Sequence, residues 1–196
     1  MPRSNGRRRK GVAFRVLILG CAGAAAGQPR PIDSAKSAVT IQVKKAGLLS
    51  AFGHDHEIAA PVAGGTVDPS GGKVELRFRS AALEVRDRGI SEKDRAEILS
   101  TMLGPQVLDS QRYPEIVFRS SNAKTAGAGA WHVDGELTLH GETRPVTAEV
   151  RDQGGHYTGT VHLKQTEFGI KPVKVAGGAV RVKDEIQIDL DIQLAR

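Results

Sequence analysis

Two imidazoles one residue apart, His54 and His56, are the densest concentration of potential chemistry in this 196-residue chain. Successive side chains on an extended strand alternate faces, so Phe52, His54, His56, Ile58 and Ala60 share one side and Gly53, Asp55, Glu57 and Ala59 the other. The apolar companions place both rings inward, at a cavity wall or its mouth. Three roles suit such a pair: nitrogen ligands for zinc or copper, a polar contact to the head of a bound amphiphile, or a hydrogen-bonded structural pair. A catalytic metal needs about three protein ligands and a structural one about four. No third presents itself, because His140 and His162 fall opposite Leu137/Leu139 and Val161/Leu163, and His132 opposite Val133.

Other chemistry is thinly represented. His140, followed by Gly141 and Thr143, reads as a hairpin turn, with glycine freeing the backbone and histidine and threonine bonding locally. Glu84, Arg86, Asp87, Arg88, Glu92, Lys93, Asp94 and Arg95 mix both signs over a short span, the pattern of a solvated face. Neither a G-x-S-x-G elbow, nor a phosphate-cradling G-x-x-x-x-G-K-[ST], nor a dinucleotide G-x-G-x-x-G occurs. The chain therefore shows no apparatus for hydrolysis, phosphoryl transfer or nicotinamide chemistry, and calls for no cofactor.

The elements that would hold these residues are strands. Ile186, Ile188, Leu190, Ile192 and Leu194 alternate with Gln187, Asp189, Asp191 and Gln193, the beat of a half-buried antiparallel strand. The same beat recurs in Val39/Ile41/Val43, Val74/Leu76/Phe78, Ile116/Phe118, Val133/Leu137/Leu139, Val146/Ala148/Val150 and Tyr157/Val161/Leu163. Glycine-bearing turns at 71–72, 126–129, 141–142, 153–155 and 176–178 separate most of them. One segment departs from this rhythm: Ser91 as N-cap, Ile98/Met102 and Leu99/Leu103 four apart, then Gly104-Pro105, which predicts a helix over 91–103. The fold class is mainly β, a single lipocalin-like antiparallel barrel of about eight strands with that one helical insertion. About eight strands enclose a lumen either filled by side chains or able to hold one small elongated ligand.

Charge does not point to nucleic acid. The net charge of +6 and pI near 9.7 come from the amino-terminal stretch, where Arg3, Arg7, Arg8, Arg9, Lys10 and Arg15 precede Cys21 with no acid among them. Removing those six from 28 bases leaves 22 against 22 acids. A basic head, an apolar run over 12–19 and small residues over 20–27 follow the order of an export leader, so residues 1–27 read as leader and 28–196 as one barrel domain. Ile18-Leu19-Gly20-Cys21 resembles a lipobox, which would tether the protein to a membrane through Cys21, whereas Ala24-Ala25-Ala26 offers an ordinary cleavage site. A retained tail is the third alternative. The expected location is periplasmic or otherwise exported.

Asp109-Ser110-Gln111-Arg112-Tyr113-Pro114-Glu115-Ile116-Val117-Phe118-Arg119-Ser120 resembles the D-x-x-x-Y-P-x-I-x-F-x-S signature of the YceI-like lipid and polyisoprenoid-binding family. Gly135 to Val146, reading GELTLHGETRPV, and Phe168-Gly169-Ile170 resemble its later G-x-L-T-I-H-G-x-T-K-P-V and F-G-I segments. The resemblance implies a lipocalin-like barrel that encloses an isoprenoid without catalysis, in an exported bacterial protein. Together with strand parity it yields wall candidates Val39, Ile41, Val43, Phe52, His54, His56, Ile58, Leu76, Phe78, Tyr113, Phe118, Leu137, Leu139, Val161, Leu163, Phe168, Ile188 and Leu190. Tyr113 is either structural or a cap on the cavity. The expected function is binding, sequestration or transport of an isoprenoid or other long-chain amphiphile. A metal-dependent enzyme or redox accessory built on His54 and His56 is the alternative, and a ligand-free barrel filled by its own side chains the third possibility.

Overall fold

The structure is a computed structural model describing residues 28–47, 55–175, 177 and 179–195. The leader with Cys21, and Phe52 and His54 of the wall candidates, lie outside the described residues. Within them the strand segments are β1 Arg30–Pro31, β2 Ala38–Ala46, β3 His56–Ala59, β4 Val62–Asp68, β5 Lys73–Arg79 and β6 Glu84–Val85. After helix α1, Glu92–Leu103, come β7 Glu115–Gly127, β8 Ala130–Leu139, β9 Glu142–Asp152, β10 His156–Lys164, β11 Lys174–Val175 and β12 Val180–Gln193.

All pairings are antiparallel and join one sheet in the order β1-β4-β5-β7-β8-β9-β10-β12-β2-β3-β6, with β11 on β12. The sheet closes on itself. Ile32, just past β1, bridges Leu194 just past β12, and the Asp33 and Ala195 amides donate to the Gln193 and Pro31 carbonyls. Four barrel strands are broken in two: β1 with β2, β3 with β4 around Pro61, β5 with β6 around the 3-10 turn Ser80–Ala82, and β10 with β11 around Gln165–Phe168. The 12 segments therefore occupy eight places around the barrel.

Local chemistry explains the connections. His140 and Gly141 both take positive φ, 52° and 78°, the backbone of a two-residue type I′ hairpin between β8 and β9. The α1 helix begins where the capping signal puts it, since Ser91 Oγ accepts from the Asp94 amide at 3.1 Å. It ends at Gly104, whose amide bonds the Thr101 carbonyl. No α1 residue is buried, yet Ile98, Leu99, Met102 and Leu103 pack against the main core.

The lumen has two unlike halves. At the end marked by α1 and the β8–β9 turn, Phe168, Ile170, Leu139, Leu163, Ile186, Leu108 and Ile58 form a solid buried cluster. At the other end, ringed by the turns at 69–72, 128–129 and 153–155, the wall residues stand apart and leave a cavity.

Candidate functional site

The cavity has a volume of about 160 Å³. Its wall is aliphatic and aromatic: Val67 of β4, Val74, Leu76 and Phe78 of β5, Phe118 and Ala123 of β7, Trp131, Val133 and Leu137 of β8. The circuit continues through Val146, Ala148 and Val150 of β9, Tyr157 and Val161 of β10, and Ile188, Leu190 and Ile192 of β12. Polar groups gather where β4, β9 and β10 meet their turns, as Asp68, Asp152 and Thr158. Two of these serve the turns themselves: Asp68 Oδ1 accepts from the Ser70 and Gly71 amides at 3.0 Å each, and Asp152 Oδ1 from the Gly155 amide at 3.1 Å.

Tyr157 is the titratable ring of the wall. Burial, then the carboxylate of Asp152, push its phenol above the usual value, and Arg30 partly offsets them. A neutral phenol facing an apolar space offers one hydrogen bond without a charge.

Seven of the sequence candidates meet in the cavity wall: Leu76, Phe78, Phe118, Leu137, Val161, Ile188 and Leu190. Val39, Ile58, Leu139, Leu163 and Phe168 are buried in the main core and do not line the cavity, with Ile41 and Val43 packed against that core; Val39 and Ile41 stand opposite the cavity residues Leu190 and Ile188. Parity predicts that these residues face inward; it carries no information on depth along the barrel. Tyr113 corrects the notion of a capping ring. It lies at the packed end, edge-on to His140 with ring centroids 4.9 Å apart. A side chain on Gly141 would run into the Tyr113 ring. Trp131, Val133, Val146, Val150, Tyr157 and Ile192 line the cavity without having been candidates, although most stand in recognised two-residue beats; Trp131 is one inward step from Val133.

His56 is committed elsewhere. Its Nδ1 donates to Asp87 Oδ2 at 2.6 Å, and the same buried carboxylate accepts the Glu57 amide at 2.7 Å through Oδ1. Arg95 completes the knot by donating to the Asp87 carbonyl at 3.0 Å and the Val85 carbonyl at 2.6 Å. This arrangement ties β3 to the segment entering α1. Among the described residues no three His, Cys, Asp or Glu side chains gather as a metal-holding group. His140 is likewise structural, its Nδ1 donating to the Phe168 carbonyl at 3.1 Å.

Tyr113, Pro114, His140, Gly141, Phe168 and Gly169 of the motifs converge on the packed end. Tyr113 and Pro114 are held there by Ser80, which donates from Oγ to the Tyr113 carbonyl at 2.8 Å and from its amide to the Pro114 carbonyl at 3.0 Å. Gly169, at φ 71°, closes the turn after Phe168. Ser120 Oγ substitutes for a strand partner between β5 and β7, accepting from the Val74 amide at 2.7 Å and donating to the Gly72 carbonyl at 3.1 Å.

Comparison with known proteins agrees with this architecture. A UPF0312 protein of Pseudomonas savastanoi pv. phaseolicola is 33% identical over 117 residues, 53% of this chain and 55% of that protein. A UPF0312 protein of Vibrio parahaemolyticus is 32% identical over 89 residues, 42% of this chain and 47% of that one. The chain thus spans about half the length of the curated relatives it matches. Among solved structures, Burkholderia cenocepacia BcnA superposes with a TM-score of 0.62 at 24% identity, over 84% of this chain and 99% of that one, a likeness of fold. The model of the YceI-like domain matches residues 31–194, nearly the whole of the barrel, and the chain belongs to that family.

Proposed function

We propose that the protein binds, sequesters or carries a long-chain amphiphile, an isoprenoid among the candidates, with its tail in the barrel cavity and its head at the rim, and performs no reaction on it. One observation carries this reading: the apolar wall spans seven of the eight strand positions around the barrel, and the polar groups lie toward its open end. Affinity would come from apolar burial, about 25 cal/mol per Å², less the cost of immobilising the guest. The volume is close to the ~150 Å³ of an apolar cavity that accepts one benzene-sized molecule. The enclosed part is therefore the end of a tail, and the rest of a long guest runs out past Asp68, Asp152 and Thr158. His56, engaged by Asp87, is assigned to holding the fold.

Export, and a membrane tether through Cys21, belong to the same proposal and rest on the leader pattern alone. The near-neutral charge of the barrel argues against nucleic acid as partner. Mass spectrometry of organic extracts from protein purified without detergent tests the function. An amphiphile present at about one per chain supports it. Extracts free of lipid, together with no saturable uptake of a prenyl alcohol, refute it. The intact mass of the mature protein distinguishes a lipidated Cys21 from cleavage after Ala26.

A further inference from the structure

The inner limit of the cavity can be traced strand by strand. Its deepest lining residues are Phe78 on β5, Phe118 on β7, Leu137 on β8, Val161 on β10 and Ile188 on β12. One inward step further along the last four of these strands stand Ile116, Leu139, Leu163 and Ile186, which belong to the packed half and do not line the cavity. The cavity thus ends at a floor that steps from strand to strand, since Phe78 stands opposite Ile116 in the β5–β7 register, and Phe118 is a bulky member of it.

Gly135 sets where that ring lies. Phe118 stands opposite Leu137 in the β7–β8 register, and Gly135, opposite Ser120, is one inward step nearer the open end. A Cβ on Gly135 would fall 2.5 Å from Phe118 Cε2 and 2.6 Å from Cζ. The ring therefore rests against bare backbone that any side chain would deny it, leaning from the level of Leu137 toward the mouth. Interiors are close-packed and yield poorly, so an alkyl chain descending the lumen meets a fixed obstacle there. We infer that the Phe118 ring, seated on Gly135, is the stop that sets how long a tail segment the cavity accepts. The inference rests on the proposed binding function and names the residue that gives it chain-length specificity.

Straight-chain primary alcohols from hexanol to tetradecanol, titrated calorimetrically into the lipid-extracted full chain, test it. In the unaltered protein Kd falls about fourfold per methylene, equivalent to ~0.8 kcal/mol, until the tail reaches the floor, and then stops falling. Phe118→Ala moves that break point to longer alcohols by about two carbons, because the vacated ring space collapses only in part. Leu139→Ala, which opens space beneath the floor, leaves the break where it was. Phe118→Leu shifts it in the same direction by less, and replaces the alanine variant should that one lose cooperative unfolding. A break unmoved in the Phe118 variants, or an affinity that keeps rising with length in the unaltered protein, overturns the inference and leaves the binding function intact. Failure of every alcohol to bind saturably overturns the binding function itself.

Discussion

Two leucines on either side of the cavity floor provide a matched test of whether the lumen is half full and half empty. Leu163 on β10 is 5% exposed and sits in the packed cluster. Leu190 on β12 lines the cavity and is only partly buried. Truncating a leucine in a tight core removes its transfer free energy and leaves a new void, together about 3–5 kcal/mol. At Leu190 one side of the side chain already faces open space, so the void term is small and only part of the transfer term is lost, about 1–1.5 kcal/mol. Leu163→Ala is thus expected to be the more costly by roughly 2–3 kcal/mol, which at about 2–4 °C per kcal/mol for a protein of this size separates the two melting temperatures by about 5–10 °C. Urea denaturation of lipid-extracted protein measures the same difference as a midpoint shift at constant m. Equal losses would mean that Leu190 is gripped as tightly as Leu163 and that the lumen is packed at both ends.

Three further outcomes follow from individual contacts. Asp87→Ala removes the acceptor of both His56 Nδ1 and the Glu57 amide, and should cost about 1–3 kcal/mol in urea denaturation while leaving alcohol affinity unchanged, since the knot lies away from the cavity wall. Filling the cavity with an alcohol deepens the burial that already raises the Tyr157 phenol; its ionisation, followed by phenolate absorbance in a Tyr113→Phe background, should move to still higher pH. Because the folded state prefers the neutral phenol, this group favours unfolding as pH rises past the ordinary tyrosine value of ~10. Glu75, held low by its hydrogen bonds to Arg77 and then Arg119, has the opposite sign: its contribution is present above the ordinary glutamate value and disappears as pH falls through the lowered one, so the acid-side drop in urea midpoint should be shallower in Glu75→Gln.

Much of this architecture was legible because a barrel needs little more than period and punctuation. The two-residue beats name β2, β5, β8, β9, β10 and β12, and the Ser91 cap with its spaced apolar residues names α1 to within a residue. The breaks were hidden. Pro61, and the 3-10 turns Ser80–Ala82 and Gln165–Phe168, divide single barrel strands into paired segments through hydrogen bonds made to distant residues, such as Ser80 to Pro114. The site was half legible for a geometric reason. Alternation reports which face a side chain takes but is silent on height, so Leu163 and Val161, two residues apart on one strand and equally inward, fall on opposite sides of the floor.

The family motifs are unevenly placed with respect to that floor, and this limits what membership says about the guest. Tyr113, His140, Gly141, Phe168 and Gly169 meet one another at the packed end, where they lock a hairpin, a turn and the segment after α1 together. A chain that carries them is specified as a barrel with a solid base. The residues nearest the open end, Val67, Trp131, Val150, Tyr157 and Ile192, lie outside the motifs, so relatives can keep the base and vary what the upper lumen accepts. The two regions join at Phe118 and Leu137, motif positions that also line the cavity, and at Gly135, on which the Phe118 ring is seated. If those three fix the depth while the upper wall fixes width and head group, exchanging Trp131 or Tyr157 for smaller side chains should alter which head groups bind and leave the chain-length break unchanged. A break that moved with Trp131→Leu would show instead that the whole wall, and not its floor, measures the tail.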